Sequence, residues 1–212
     1  LNYSRRVDRP SIQQINPMRE WSTPVIDSKG NPDLVPQFTN SIELNYTRKT
    51  KIGSITSGVF YRIIQDEIAR VVYGNPVDSN KQVLSYDNFD NNNAYGIEVS
   101  GNLDFTKWWS ANIGLDAYGK TVKGTVETTR GTLEYVEIDA LIFNARMNNT
   151  FKATKNLRFQ LFEMYRGRDR SLQFDRKPTW KIDMGSSYTI LKGKGTISAR
   201  FSDIFRSMNF AF

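Results

Sequence analysis

Long segments of alternating apolar and polar residues constrain the fold of this chain more than any other feature. In YGIEVSGNLDF, residues 95–105, the large apolar side chains occupy odd positions, and the even positions are polar or glycine. In WKIDMGSSYTI, residues 180–190, the large apolar side chains occupy even positions. Because successive side chains of a strand point to opposite faces, this period predicts β-strands with one apolar face and one polar face.

The alternation recurs along most of the chain. A further run at 109–118 follows the first after a short turn, and no segment shows the 3.6-residue period of an amphipathic helix. The sequence therefore predicts an all-β fold. Further strands are predicted at 38–48, 54–64, 138–152, 156–166 and 195–205. The residues predicted on the apolar faces are Ile97, Val99, Leu103, Ile113, Leu115, Ile182 and Met184.

Short and long connections alternate between the predicted strands. The short ones contain KTKIG, TKW, ATKN and KGKG, each with lysine. Long ones are predicted at 8–36, 65–92, 120–136 and 167–177. This order is typical of an antiparallel transmembrane β-barrel of the outer-membrane type, which has short periplasmic turns and long extracellular loops. The strands are long enough to cross a bilayer at a tilt, a length that a soluble β-sandwich does not need.

Aromatic residues make up 13% of the chain, and several of them lie where predicted strands end. Trp108 and Trp109 lie in a short turn beside Phe105, and Trp180 begins a strand near the opposite end. An indole ring has a large apolar body and one N–H donor, so it favours the boundary between hydrocarbon and headgroups. We therefore predict that these four residues lie at the membrane interface. In a soluble sandwich, the tryptophan pair would instead cap the core.

Residue types needed for several kinds of catalysis are missing. The chain has no cysteine and no histidine, which excludes disulfides, thiolate nucleophiles and Ser–His catalysis within it. Carboxylates on the predicted polar faces are expected to bond arginines such as Arg146 and Arg200 rather than to form a catalytic pair. We therefore expect no enzyme activity, no catalytic residue, no metal site and no cofactor.

Basic residues give the chain a formal net charge of +7, and many of them lie in or beside the short turns. Solvated turns at a membrane edge explain this placement better than nucleic-acid binding, for which no motif is present. We therefore expect no nucleic-acid partner. The basic residues at the short turns are Arg48, Lys49, Lys51, Lys107, Lys152, Lys155, Lys192 and Lys194.

A second basic group lies in YRGRDRSLQFDRK, residues 165–177, in a predicted extracellular loop. Loops on a rigid scaffold commonly carry recognition, and guanidinium groups suit carboxylate or phosphate ligands. The same groups could instead pair with Asp169, Asp175 and Asp8, or with lipopolysaccharide phosphates. The candidate ligand-binding residues are Arg5, Arg9, Arg166, Arg168 and Arg170.

Four segments resemble, in chain order, parts of the TonB-dependent receptor barrels of Bacteroidetes-type bacteria. They are RRVDRPSIQQINPM, GNPDLVPQFTNSIELNY, NNNAYGIEVSGNLDFTKWWSANI and LKGKGTISARFSDIF. Gln37 stands where that family usually has glutamate. The resemblance implies that residues 1–212 are the C-terminal portion of an outer-membrane barrel, truncated at both ends and lacking the plug domain. About nine of roughly 22 strands would be present, and Phe212 would mark a truncation rather than the natural C-terminus.

The resemblance also implies a function. Such a barrel takes part in active import of a large nutrient, such as a siderophore or a glycan, across the bacterial outer membrane. Its implied partners are outer-membrane lipid, lipopolysaccharide, an unknown nutrient, and the plug domain and TonB of the full-length protein. The alternative is a structural or adhesive outer-membrane barrel that binds a partner through its loops. A soluble all-β enzyme or lectin is a weaker alternative, because histidine is absent and the turn asymmetry would have no explanation.

Overall fold

The computed structural model describes residues 1–208 except Arg19, Pro76, Ser79 and 128–131, so Phe212 lies outside the described residues. The described residues are mostly in strands, and no helix among them is long and apolar enough to cross a membrane. In chain order the elements are β1 (Asn2–Asp8), α1 (Ile12–Ile15), β2 (Glu20–Thr23), β3 (Ile26–Ser28), β4 (Gln37–Thr50), β5 (Gly53–Gln65), β6 (Glu67–Gly74), β7 (Gln82–Phe89), β8 (Asn92–Asp104), β9 (Trp109–Glu127), β10 (Leu133–Lys152), β11 (Leu157–Arg166), β12 (Asp169–Arg170), β13 (Asp175–Arg176), β14 (Thr179–Ile190), a 3₁₀ turn (Leu191–Gly193) and β15 (Gly195–Phe201).

One nine-stranded sheet contains the long strands, in the order β1-β4-β5-β8-β9-β10-β11-β14-β15. All neighbouring pairs in it are antiparallel. Tight turns join β4 to β5, β8 to β9, β10 to β11 and β14 to β15 at one end of the sheet. This end is called the turn end below, and the opposite end, where the longer connections lie, is called the loop end. The predicted placement of all short turns at one end is thus confirmed.

Threonine side chains shape two of the tight turns. The Thr106 hydroxyl oxygen accepts hydrogen bonds from the backbone N–H groups of Trp108 and Trp109, at 3.3 and 3.0 Å. Thr154 does the same for Asn156 and Leu157, at 3.2 and 3.0 Å. Local side-chain bonds of this kind replace the ladder bonds that end where a strand reverses.

The predicted loop at 120–136 is wrong at both ends, because β9 continues to Glu127 and β10 begins at Leu133. Residues 128–131 of that loop lie outside the described residues. In the first part of β9 the apolar residues occupy odd positions, but beyond Tyr118 they occupy even ones, at Val122 and Val126. The period used to predict strands therefore breaks where the strand itself continues.

Two other predicted loops, 8–36 and 65–92, contain a second sheet of four strands in the order β2-β3-β7-β6. β6 and β7 form a hairpin in which Val72 lies opposite Leu84. β3 runs parallel to β7, which departs from the antiparallel arrangement predicted for the chain. The prediction missed β2 and β3 because they have only four and three residues, and β6 and β7 because they lie beside residues typical of turns.

The last predicted strand, 195–205, ends earlier, at Phe201. Asp203 and Arg206 have positive φ angles of 47° and 51°. The Asp203 carboxylate accepts hydrogen bonds from the backbone N–H groups of Ser207 and Met208, at 2.9 and 3.1 Å. An aspartate that bonds the following backbone in this way is typical of a turn.

The register gives the two faces of the nine-stranded sheet different chemistry. The residues predicted to be apolar and outward-facing share one face, called the apolar face: Leu115, for example, lies opposite Val99 and Ala145. Ile97 is 53% exposed and Met184 is 44% exposed on this face. An exposed apolar surface of this kind needs lipid or another apolar partner. The opposite, polar face carries most of the charged residues of the strands.

Ile113→Arg tests the assignment of the faces. We expect this change to lower the free energy of unfolding by about 2–4 kcal/mol if hydrocarbon covers the apolar face near the bilayer midplane. Asn112→Arg, the control, directs the same side chain to the polar face and should cost less than about 1 kcal/mol. Urea unfolding of the protein in lipid vesicles measures both values, and equal losses would contradict the assignment.

Candidate functional site

A groove of about 680 Å³ crosses the polar face on β8, β9, β10 and β11. Its charged residues carry both signs, which suits a binding partner whose own surface carries complementary charges. The charged residues that line it are Glu98, Asp116, Arg146, Arg166 and Arg176.

Arg146 does not form the predicted bond with a described carboxylate of the polar face. Asp116 accepts a hydrogen bond from the Asn144 side-chain amide at 2.7 Å, and Arg146 forms no ion pair with a described residue. Its side chain lies over Gly114, where an added Cβ atom would be 2.6 Å from Arg146 Nε. Glycine at this position therefore leaves room for a guanidinium group that stays open to the groove.

Arg62 lies between two carboxylates on the same face. Its Nη2 atom is 3.2 Å from Glu43 Oε1 and 3.6 Å from Glu98 Oε1. The guanidinium carbon also lies 4.1 Å from the centroid of the Phe60 ring. Such contacts hold the side chain against the sheet, so the charges on this part of the polar face are largely neutralised by one another.

Asp183 is the most buried charged residue of the polar face, at 3% exposure. Its carboxylate accepts hydrogen bonds from Lys181 Nζ at 2.9 Å, Arg200 Nη2 at 3.2 Å and the backbone N–H of Asp203 at 2.9 Å. The predicted bond between a polar-face carboxylate and Arg200 is therefore confirmed. A buried carboxylate with this many donors links β14 and β15 to the turn that follows them.

A hydrophobic cluster holds the loop-end segments together. It consists of Phe89 from β7, Val122 and Val126 from β9, and Leu172 from the connection between β11 and β14. Side chains of β6 and β10 pack around it. Burial of these side chains stabilises the second sheet against the extended parts of β9 and β10.

Gln173 attaches the same connection to β6 through hydrogen bonds. Its side-chain oxygen accepts from the backbone N–H of Val72 at 2.7 Å, and its side-chain nitrogen donates to the backbone oxygen of Val72 at 2.9 Å. The amide group thus occupies the place of a neighbouring strand, and it satisfies backbone groups that an edge strand would leave unpaired.

Asn92, at 2% exposure, forms a second polar link at the loop end. Its side-chain nitrogen donates to Glu67 Oε2, and its side-chain oxygen accepts from the backbone N–H of Lys123 at 2.7 Å. These bonds join the first residue of β6 to β9. The second sheet is therefore attached to the main sheet at several separate points.

Two of the basic residues in segment 165–177 are paired with aspartates. Arg168 Nε donates to Asp175 Oδ1 at 2.7 Å, and a second ion contact joins Arg168 Nη2 to Asp175 Oδ2. The hydrogen bond from Arg168 lowers the pKa of Asp175 below its usual value. Asp169 contacts Lys120 Nζ at 2.6 Å and Arg176 Nη2 at 3.4 Å.

The remaining candidate residues are distributed over the sheet. Arg166 lines the polar-face groove and Arg170 is exposed on β12, and neither forms an ion pair with a described residue. Arg9 is exposed beyond β1, and Arg5 lies over the Phe38 ring at 4.8 Å. Because β1 is six positions from β11 in the sheet, the described strands do not bring the two groups of arginines together.

The predicted interface residues occupy both ends of the apolar face. At the turn end, Trp109 stacks on Phe105 and Phe151, with ring centroids 4.3 and 6.0 Å apart. Its Nε1 donates to the Asn149 side-chain oxygen at 2.9 Å, whereas neighbouring Trp108 is 54% exposed. At the loop end, Trp180 lies opposite Tyr165 in the register of β14 and β11.

Sequence reasoning missed Leu172, Gln173 and Asn92. All three lie in segments that the sequence predicts as connections, without alternation to mark them as buried. The one available signal for Leu172 is its position as a single large aliphatic residue within the basic segment 165–177.

A family model described as the outer membrane protein beta-barrel family matches residues 1–212. No curated protein matches the sequence. Among solved structures, the siderophore receptor PirA from Pseudomonas aeruginosa has a TM-score of 0.65 at 13% identity, over 96% of this chain and 35% of that chain. A mutant of the ferric enterobactin receptor PfeA from the same organism has a TM-score of 0.53 at 13% identity, over 96% of this chain and 32% of that chain.

These likenesses show the fold, an outer-membrane β-barrel type of architecture, at low sequence identity. The chain spans about a third of the length of the receptors it matches. The predicted all-β class is thus confirmed.

Gln173→Ala tests the attachment of the loop-end segments. We expect it to cost about 1–3 kcal/mol locally, because the backbone groups of Val72 lose their partners. Hydrogen exchange at the Val72 amide should then become roughly tenfold faster or more. Gln160→Ala, on the exposed part of the polar face, is the control. An unchanged rate at Val72 would contradict the role of Gln173.

Proposed function

The chain belongs to the outer membrane protein beta-barrel family, and we propose that it is part of a TonB-dependent receptor of the Bacteroidetes type that imports a large nutrient. Family membership places the protein in the bacterial outer membrane. The observation that carries the import proposal is the fold likeness to siderophore receptors over 96% of this chain. Those structures are of a siderophore receptor and a ferric enterobactin receptor, which supports import as the class of function. The nutrient of this chain stays open between a siderophore, a glycan and similar molecules.

In this proposal the apolar face contacts lipid and the polar face lines the barrel interior. Two levels of aromatic side chains support this placement, with Trp109 at the turn end and Tyr95 at the loop end. Tyr95 lies opposite Gly119, which is on the same strand as Trp109. Ten residues of a strand tilted by about 40° rise roughly 25 Å along the membrane normal, the height of the apolar band in such barrels. The turn end is then periplasmic and the loop end extracellular.

The polar-face groove would contact a plug domain or a passing nutrient. Arg146 supports this role because it is open to the groove and unpaired among the described residues. Arg62 and Asp183, in contrast, are occupied by contacts within the sheet. Arg146 would therefore offer a partner in the groove a guanidinium group that no described carboxylate already holds.

Recognition at the extracellular end is assigned to the unpaired arginines of segment 165–177. Arg166 and Arg170 can offer guanidinium groups to a carboxylate or phosphate of a nutrient, or of lipopolysaccharide. Arg168 is already engaged by Asp175. The attachment of this segment through Gln173 and Leu172 would hold the two free arginines in place before a ligand binds, which lowers the entropic cost of binding.

A structured extracellular surface also suits the alternative, a barrel that binds a partner protein through its loops. The second sheet, with β6 and β7 as its hairpin, would give such a surface a regular backbone. Import and adhesion differ in their dependence on energy from the inner membrane, so they can be separated by experiment.

The test compares cells with and without the gene for the complete protein. Uptake of labelled ferric siderophores and glycans should fall in the deletion strain and in a strain without TonB, and return when the gene is restored. If uptake of every compound stays normal while attachment to surfaces falls, the adhesive function replaces the import function.

Arg166→Gln and Arg170→Gln test the binding residues. Each should weaken the binding of an imported anionic compound about tenfold, because a charge-assisted hydrogen bond contributes about 1.5–3 kcal/mol. Lys155→Gln, at the opposite end of the strands, should leave the affinity unchanged. Fluorescence titration of the purified protein gives the three dissociation constants, and equal values in all variants would contradict the assignment.

A further inference from the structure

The basic residues at the two ends of the sheet have different partners. At the loop end, ion pairs join Lys123 to Glu137 at 2.9 Å and Lys120 to Asp169 at 2.6 Å. Arg168 and Arg176 are paired there as well. At the turn end, none of the basic residues in or beside the tight turns forms an ion pair with a described residue. The turn end therefore holds basic charge that no described ion pair compensates.

Acidic residues are nearly missing from the turn end. The segments 46–56, 149–160 and 187–198 contain no aspartate or glutamate, and 101–112 contains Asp104 alone. The same segments hold the following basic residues, all exposed: Arg48, Lys49, Lys51, Lys107, Lys152, Lys155, Arg158, Lys192 and Lys194. This group is called the cationic rim below. Each of the tight turns contributes to it, so the charge is spread along the whole edge of the sheet.

The cationic rim adjoins the aromatic level at the turn end. On the apolar face, Tyr46 is 67% exposed and Tyr188 is 48% exposed, and Trp108 lies in the turn itself. Arg48 shares the apolar face with Tyr46, because the two are separated by two positions in β4. Lysine and arginine side chains next to such rings reach from the apolar boundary into the headgroup layer.

Two of the lysines of the cationic rim line one cleft. Lys107 and Lys152 line a cleft of about 210 Å³ with Thr106 and Ser110. A phosphodiester group there would have two cationic groups and two hydroxyl groups around it. Asp104 also lines this cleft. Its single negative charge is smaller than the combined positive charge of the two lysines.

Given the membrane placement of the proposed function, on which this inference rests, we propose that the cationic rim binds anionic phospholipid headgroups of the periplasmic leaflet. Basic residues near a membrane surface attract anionic lipid headgroups. The rim would gather phosphatidylglycerol or cardiolipin around the turn end and hold the barrel at a defined depth. At the loop end, Lys120, Lys123, Arg168 and Arg176 are paired with aspartate or glutamate, so the excess there is smaller.

The test measures which lipids surround the folded protein. The complete protein is placed in vesicles of phosphatidylcholine that contain spin-labelled phosphatidylglycerol or spin-labelled phosphatidylcholine. We expect the wild-type protein to associate with the phosphatidylglycerol label at least about twofold more strongly. A variant with Lys49, Lys51, Lys107, Lys155, Lys192 and Lys194 replaced by glutamine should lose this preference.

A matched variant controls for total charge. It replaces six exposed basic residues at the loop end with glutamine instead: Arg5, Arg9, Arg70, Arg166, Arg170 and Lys177. It should keep the preference for phosphatidylglycerol. High salt should weaken the preference of the wild-type protein, because it screens exposed charges. Inorganic phosphate at the same ionic strength should have no additional effect, since a lipid headgroup rather than a free phosphate is the ligand.

Several outcomes would overturn the inference. They are equal association of the two labels with the wild-type protein, an unchanged preference in the turn-end variant, and specific displacement by inorganic phosphate. A heat-modifiable band on a gel shows independently that the protein has folded as a barrel in the vesicles. A folded barrel without lipid preference would overturn this inference alone, whereas a protein that does not insert would overturn the proposed function as well.

Discussion

Backbone hydrogen bonding between antiparallel neighbours is the interaction on which the rest of the structure depends. In hydrocarbon, a strand can be stable only if its N–H and C=O groups are paired with adjacent strands. The nine-stranded sheet provides these pairs from β4 to β14 without a break. It also fixes the register, and the register in turn places Ile97 and Leu115 on one face and Glu98 and Asp116 on the other.

Once the register is set, the chemistry of the protein is divided by face and by end. The apolar face exposes large side chains such as Ile97 and Met184, and the polar face carries paired charges together with the open guanidinium group of Arg146. Along the strands the division is electrostatic: several basic residues form ion pairs at the loop end, whereas those of the cationic rim form none with a described residue. The same sheet therefore has a strongly cationic edge at the turn end.

The loop-end segments depend on a few specific contacts rather than on a large core. Leu172 fills a cluster with Phe89, and Gln173 replaces a strand beside Val72. Asn92 closes the base of the hairpin formed by β6 and β7. These contacts join segments that are far apart in the sequence, and substitutions in neighbouring contacts are not expected to be additive.

The sequence by itself determined the all-β class, the tight turns at one end and the shared face of residues such as Ile113 and Met184, because a period of two and the residues of tight turns are local properties. It also located the basic segment 165–177. It could not give the continuation of β9 through Val122 and Val126, since the apolar positions change from odd to even there. Nor could it show that Arg168 is paired with Asp175 while Arg170 is not. Those outcomes were decided only by tertiary structure, because they depend on which distant segments lie against each strand.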